Sequence, residues 1–269
     1  MRGHRIVFMV ISFVIFFSAT PSFSSDVCSN IGIPALSRIV NGNQANTIFT
    51  RLFSSETSIV SKKPIKDLGM CEVILKMQQV GQYVSCYTGS GYVLLGRVFK
   101  DGQSLSDSTI SELKKAAFAS VKPKLDDLAA FTYTPKGKSV GTIYMITDPL
   151  CPYCHRAEAG IINLASEFNV KLKVLLYGVS GVNGDKRAVQ AVCNDLILED
   201  YIKGDWKKKN IDEAQCEKGK LLIEKTKTVV SQLGLGGVPM FYLDNGTSVT
   251  GANIPALKEI LTKLQTSKQ

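Results

Sequence analysis

Histidine is nearly missing from this chain of 269 residues, which holds only two. His155 is the only one outside the first few residues, and its adjacency to Cys154 makes no triad. A Cys/His hydrolase is therefore set aside. A second Cys-x-x-Cys is also missing. The other cysteines lie far apart, so a zinc half-site at Cys151 and Cys154 lacks its second pair of ligands, and no metal is expected. Residues 26–99 hold no histidine, no carboxylate pair and no phosphate loop, so this stretch reads as a binding or assembly module rather than a catalytic one, and no cofactor is expected. The apolar run 6–17 falls short of the about 20 residues that a membrane span needs. Nucleic-acid recognition motifs are absent, and a nucleic-acid partner is not expected.

What is present begins with the N-terminus. Arg2, His4 and Arg5 precede the apolar run 6–17, and Ser18-Ala19-Thr20 and Ser22-Phe23-Ser24 follow as a stretch rich in small residues. Charge, short apolar core and small-residue exit, in that order, read as a secretory signal peptide over 1–24, with cleavage near Ser24. An uncleaved anchor is the alternative. Cys28 lacks the small apolar residues that usually precede a lipidated cysteine. Export decides how the seven cysteines are read, because disulfides persist outside the cytosol. The net charge is +9, and two of those charges, Arg2 and Arg5, leave with the leader. Lys207-Lys208-Lys209 beside Trp206 is the only tight basic run, read as a solvated loop or helix end. Hydrophobic content of 45% is enough for a sizeable core.

Cys151-Pro152-Tyr153-Cys154 is the centre of the chain. An apolar run, 140–146, and the turn at Asp148-Pro149 precede it, and a helical pattern over 155–168 follows. In that context the motif reads as a redox dithiol. Backbone N–H groups at a helix start lack intrahelical partners, and the helix dipole favours negative charge there. A thiolate at Cys151 is expected to be stabilised, with Cys154 one turn on. Pro152 suits a first helical position because its missing N–H is not needed. A purely structural disulfide is the weaker reading, since such small loops are usually reducible.

The first half reads as short alternating segments. Candidate strands are 49–53, 72–77, 83–88 and 92–99, with one helix before them and turns at Gly81, Gly89-Ser90-Gly91 and Asp101-Gly102. A hairpin pairing Cys71 with Cys86 also sets Val73 opposite Val84 and Met77 opposite Val80, all on one face. A cross-strand disulfide Cys71–Cys86 is expected. Its alternatives are two buried thiols, or pairing of one of them with Cys28. Of these three cysteines one is left over, and Cys28 is expected to be that one, free or paired between chains. Thr109-Ile110-Ser111-Glu112 has the capping-box pattern, and Pro123 should break or kink the helix it starts. Residues 106–137 then read as a helical linker, or as an ordinary helix packed on either half.

From 138 onward the expected order is strand, dithiol helix and second strand (172–177), a β-α-β unit with parallel strands. A helical insertion over 186–233 holds Cys193 and Cys216. Their separation suits a structural disulfide worth about 3 kcal/mol, with a second redox pair as the alternative. Val238-Pro239 opens the apolar run 240–243, Asn245-Gly246 turns the chain, and 247–250 returns. A cis bond at Pro239 would expose the Val238 backbone for pairing with an extended substrate, though cis is the minority state. An amphipathic helix, 254–264, closes the chain.

The second half resembles a thioredoxin fold with a helical insertion. The full length resembles the exported DsbC/DsbG family of bacterial thiol:disulfide interchange proteins, most clearly from Thr147-Asp148 through Cys151-Pro152-Tyr153-Cys154-His155. The resemblance implies a fold of α+β and α/β parts. These are a small N-terminal antiparallel (cystatin-like) dimerisation domain over 25–105, a linker helix over 106–137 and a thioredoxin-like catalytic domain over 138–269. It implies a V-shaped homodimer in the periplasm whose cleft accepts misfolded exported proteins with cysteines. It implies that Cys151 attacks, Cys154 resolves, Pro239 is cis beside them and Cys193–Cys216 is the structural pair. Val238 and His155 complete the candidate site. Val238 departs from the threonine usual in DsbC and DsbG and matches DsbA-type oxidases. The expected activity is that of a disulfide isomerase or interchange enzyme recharged by a DsbD-like membrane reductant. The alternatives are a DsbA-like dithiol oxidase recharged by a DsbB-like partner, and a periplasmic holdase chaperone.

Overall fold

The computed structural model describes residues 25–41, 52–78 and 81–266. The expected leader, 1–24, lies outside them, as do 49–51 of the expected first strand.

In the first half, α1 (Ile33–Asn41) packs on a meander of β1 (Thr57–Ile65), β2 (Met70–Met77), β3 (Tyr83–Gly89) and β4 (Tyr92–Leu95). Cys71, Val73, Leu75 and Cys86 share one face, closed by Leu36 and Phe53. The other face carries Glu72, Ile74 and Tyr87, also buried. Strand β1 escapes a reading by alternation because Lys62, Lys63 and Pro64 interrupt it. It lies at the sheet edge, where a proline costs no ladder bond on its open side.

The hairpin register differs from expectation by two residues. Cys71 sits opposite Thr88, and Cys86 sits opposite Val73. The turn is longer than a two-residue one: Met77 N–H donates to the Gln82 carbonyl (2.9 Å) and Gly81 N–H to the Met77 carbonyl (2.7 Å). A slip of two keeps every side chain on its face but draws the two cysteines apart along the strands. The expected Cys71–Cys86 disulfide is thus not formed. Cys71 is bonded to Cys28, with Cα atoms 5.3 Å apart, so the cysteine left over is Cys86, a buried free thiol, and not Cys28.

A short ribbon of β5 (Phe99–Lys100) and β6 (Gln103–Ser104) leads into α2 (Leu105–Asp127). This helix begins before the capping-box pattern and runs through Pro123 without a break. Phe118, Val121 and Leu125 recur on one face and are buried, whereas Pro123 is exposed. The lost hydrogen bond falls on the solvent side, and the buried stripe holds the helix together.

The remaining elements are β7 (Phe131–Tyr133), β8 (Thr142–Thr147), α3 (Pro152–Glu167), β9 (Lys171–Leu176), α4 (Gly181–Cys193), α5 (Leu198–Lys203), α6 (Glu217–Val230), β10 (Met240–Leu243), β11 (Ser248–Thr250) and α7 (Ile254–Thr266). The five strands order as β11-β10-β8-β9-β7. As the β-α-β reading requires, β8 and β9 are parallel; the other pairs are antiparallel. Alternation along β8 sends Ile143 and Met145 to one face, with Ala157, Ile161 and Leu257. It sends Tyr144 and Ile146 to the other, with Phe118, Val121, Leu125 and Val230. The stretch read as a linker therefore supplies a covering helix and an edge strand to this layered unit. Cys193 and Cys216 are bonded, with Cα atoms 5.8 Å apart, tying α4 to the start of α6. No helix among the described residues is long and apolar enough to cross a membrane.

Candidate active site

Strand β8 ends at Thr147, and Asp148 makes the turn that follows. Its carboxylate is fully buried yet saturated: Oδ1 accepts from Leu150 N–H (2.7 Å), and Oδ2 accepts from Val179 N–H and Ser180 N–H (both 2.8 Å). The Asp148 carbonyl accepts from Cys151 N–H at 3.0 Å. One aspartate thus pins the turn to the loop after β9. Gly184 packs closely under this carboxylate: a Cβ there would stand 3.1 Å from Asp148 Oδ2 and press on it.

Cys151 is the N-cap of α3, with φ −81° and ψ 118°, and Pro152 takes the first helical position. Its thiol is half-buried and donates to the Val238 carbonyl oxygen at 3.8 Å. The Val238-Pro239 peptide bond is cis. Cys154 lies one turn into the helix and is fully buried. Its sulfur accepts from Asp148 N–H at 3.4 Å. Burial pushes the Cys154 thiol up to about 12, against the opposing Asp148 N–H and Thr147 hydroxyl, and the neighbouring Cys151 adds to the rise. Both cysteines of the motif are free thiols here. The arrangement gives one accessible sulfur at a helix start and one sealed behind it.

Behind Cys154 lies a buried polar cluster that the motif alone does not reveal. Glu158 is 3% exposed, and its Oε1 accepts from the Thr147 hydroxyl (2.7 Å) and the Tyr201 hydroxyl (3.0 Å). Its spacing of four from Cys154 puts both on one helix face, a signal the sequence does carry. Tyr201 arrives from the insertion, and the Trp206 indole N–H donates to its carbonyl at 3.0 Å.

His155 joins the site through its ring. Its Nε2 lies 2.7 Å from the Pro149 carbonyl oxygen and 2.6 Å from Lys207 Nζ. The basic run is thus not uniformly solvated. Lys208 pairs with Asp205 in solvent, but Lys207 folds over the Trp206 ring toward His155. Burial lowers the proton affinity of Lys207. Tyr153 is exposed, with the Arg156 guanidinium 4.3 Å from its ring centre. Among the described residues no group of three or more metal-ligating side chains converges.

The structure therefore brings Cys151, Cys154, His155, Val238 and Pro239 to one end of the sheet. Cys193 and Cys216 bond to each other in the insertion, and Cys71 and Cys86 belong to the first-half core.

No family model matches the chain, and no curated protein matches it at a significant level. Among solved structures, a linker-deletion mutant of Proteus mirabilis ScsC is similar at 18% identity and a TM-score of 0.47, over 61% of this chain and 87% of that one. The thiol-disulfide exchange protein α-DsbA2 from Wolbachia pipientis is similar at 17% identity and 0.46, over 59% and 100%. Helicobacter pylori DsbG is similar at 16% identity and 0.35, over 73% and 97%. Likeness of this size assigns no function.

Proposed function

We propose that the chain is an exported thiol:disulfide oxidoreductase of the periplasm that isomerises or reduces incorrect disulfides in exported proteins. The observation that carries this reading is the asymmetry of the dithiol. Cys151 stands half-buried at a helix start facing the Val238 carbonyl, and Cys154 is sealed one turn behind it.

In this reading Cys151, as thiolate, attacks one sulfur of a substrate disulfide. The other substrate sulfur leaves as a thiolate, and a mixed disulfide forms. If the released substrate thiolate attacks elsewhere in its own chain and a substrate sulfur then displaces Cys151, the outcome is isomerisation. If Cys154 loses its proton and attacks Cys151 Sγ, the substrate leaves reduced and Cys151–Cys154 becomes the disulfide. A DsbD-like membrane reductant then returns two electrons.

The exposed side chains Tyr153, Val179 and Val182 give an unfolded chain apolar contact beside the dithiol. The first-half sheet, with Tyr92, Leu94 and Leu95 exposed, is the dimerisation surface in this reading. Residues 25–105 would then join two copies, and the catalytic chemistry would belong to 138–269 with the helix of 106–137.

Refolding of a scrambled multi-disulfide protein tests the reading. The Cys151→Ser variant should lose the activity, and unchanged refolding would make the chain a holdase instead. Val238 favours a second reading, a dithiol oxidase recharged by a DsbB-like partner. The in-cell redox state of Cys151 and Cys154 separates the two: reduced for the isomerase, fully oxidised for the oxidase.

A further inference from the structure

Two glycines from opposite halves of the chain meet backbone to backbone. Gly81 lies at the tip of the β2–β3 hairpin, and Gly234 lies in the segment that leads to Val238. Both are left-handed, with φ +65° and +66°. A Cβ on Gly81 would overlap the Ser231 carbonyl oxygen and stand 2.8 Å from Gly234 N. A Cβ on Gly234 would overlap the Gly81 carbonyl and stand 2.9 Å from Tyr83 Cε2. Neither position tolerates a side chain, for reasons of conformation and of contact.

Two hydrogen bonds flank this meeting. Gln82 Nε2 donates to the Leu235 carbonyl at 3.3 Å, and Lys76 Nζ donates to the Gln232 carbonyl at 3.4 Å. Lys76 also lies 5.6 Å from the Tyr83 ring centre. From below, Leu233 and Leu235 are buried in the core under α2, and the Tyr242 hydroxyl donates to the Leu233 carbonyl at 3.3 Å. The segment is therefore clamped between its own core and the hairpin. Beyond the clamp the situation changes. Gly236 and Gly237 have open space where a Cβ would be, and Val238 follows them, its carbonyl facing Cys151.

We propose that the β2–β3 hairpin positions the loop 234–238, so that the first-half sheet sets where Val238 presents its backbone to a substrate. The proposal rests on the reading of Cys151 as the attacking thiol and of Val238 as the edge beside which an extended substrate docks. Gly81 and Gln82 are positioning residues: they touch neither substrate nor sulfur. Gly236 and Gly237 bring no side chain to hold the backbone before Val238, and the hydrogen bond from Gln82 to Leu235 is the contact from the hairpin nearest to it among the described residues. Releasing the hairpin widens the range of positions open to Val238. Substrate docking then weakens while the sulfur chemistry is left in place, because Cys151 and Cys154 are set by α3 and Asp148.

Hydrogen exchange of the amides of 231–240 in the full-length protein tests this directly. In Gln82→Ala, which leaves the backbone unchanged, exchange should rise about three- to tenfold, the range a single neutral hydrogen bond supports. Gly81→Ala should raise it further. Gln78→Ala is the control, because its side chain bonds Ser58 Oγ within the first-half sheet (2.9 Å). It should leave 231–240 at the wild-type rate. With a cysteine-disulfide peptide as substrate, KM should rise in Gln82→Ala with kcat unchanged. Exchange in Gln82→Ala equal to wild type, or an equal rise in Gln78→Ala, overturns the proposal. Should Gly81→Ala strip protection from β2 and β3 themselves, Gln82→Ala decides alone. Exchange needs no catalytic turnover, so the clamp is judged separately from the Cys151→Ser result.

Discussion

Lys207 Nζ and the Pro149 carbonyl oxygen contact the same His155 ring nitrogen, at 2.6 Å and 2.7 Å. Nε2 carries at most one proton. As a donor to Pro149 it meets the lysine only as a neutral amine with a free lone pair. As an acceptor from the ammonium it leaves Pro149 without that bond. The charge on Lys207 therefore selects the histidine tautomer. Burial lowers the proton affinity of Lys207; Glu158, Asp148 and Cys154 oppose the change, and Arg187 reinforces it. Nitrogen-15 NMR of the neutral His155 ring should show Nδ1–H while Lys207 is charged. It should convert to Nε2–H as Lys207 loses its charge, before an ordinary lysine would titrate at about 10.4. In Lys207→Met the neutral ring should keep the Nε2–H form, because no ammonium competes with Pro149. A tautomer that ignores both pH and the substitution would show that the lysine contact has no such effect.

The second half was legible because its signals are local. Cys151 and Cys154 at a helix start, Asn245-Gly246 at the hairpin and the apolar run 140–146 each declare their place within a few residues. Pairing across the hairpin was less legible. The choice between Cys28 and Cys86 as the partner of Cys71 depends on a turn whose length carries no strong residue preference. The role of Phe118 was hidden too, because its helix has a weak apolar stripe and a proline inside it. Glu158 and Lys207 belong to the site only through three-dimensional contact, although the spacing of Glu158 from Cys154 was readable.

Glu158 anchors two hydroxyls in a dry place. Glu158→Ala leaves the Thr147 and Tyr201 hydroxyls without their acceptor, each worth about 1–3 kcal/mol when buried and unpaired. Glu158→Gln keeps an oxygen that accepts both. Urea denaturation should therefore place the alanine variant about 2–5 kcal/mol below wild type and the glutamine variant well above the alanine one. Equal losses in the two would mean that the charge, and not the acceptor, is what the cluster needs.

Cys86 makes stability depend on alkaline pH. Burial pushes its thiol up to about 12, whereas an unfolded cysteine ionises near about 8.5. The native state then binds the proton more tightly than the unfolded state. The stabilisation is fully present below the unfolded value and is lost as pH rises toward the native one, with a slope of about 1.4 kcal/mol per pH unit. Cys154 behaves in the same way while the dithiol is reduced. At pH 8, Cys86→Ala should cost about 1 kcal/mol for the volume removed. At pH 10 the gap should close or reverse, because the variant has no thiol to ionise. A gap independent of pH would place Cys86 in contact with solvent.

Phe118 decides whether α2 is a connector or a part of the catalytic unit. Its ring stacks on Tyr242 with centres 4.9 Å apart and meets Tyr144 edge-on at 5.6 Å. Those tyrosines lie on β10 and β8, on the face opposite the dithiol helix. Truncating a buried phenylalanine costs about 3–5 kcal/mol, so Phe118→Ala should lower the melting temperature and also weaken near-ultraviolet circular dichroism from the two tyrosines. The same geometry predicts the fate of a fragment cut at 138. It would expose Tyr144, Ile146 and Tyr242 together, an apolar face of the kind that binds dyes and drives association. A fragment beginning at 104 keeps α2 and covers that face. The shorter fragment should bind a hydrophobic dye and aggregate, and the longer one should remain monomeric and dye-free. A shorter fragment as stable as the longer one would return α2 to the role of a linker.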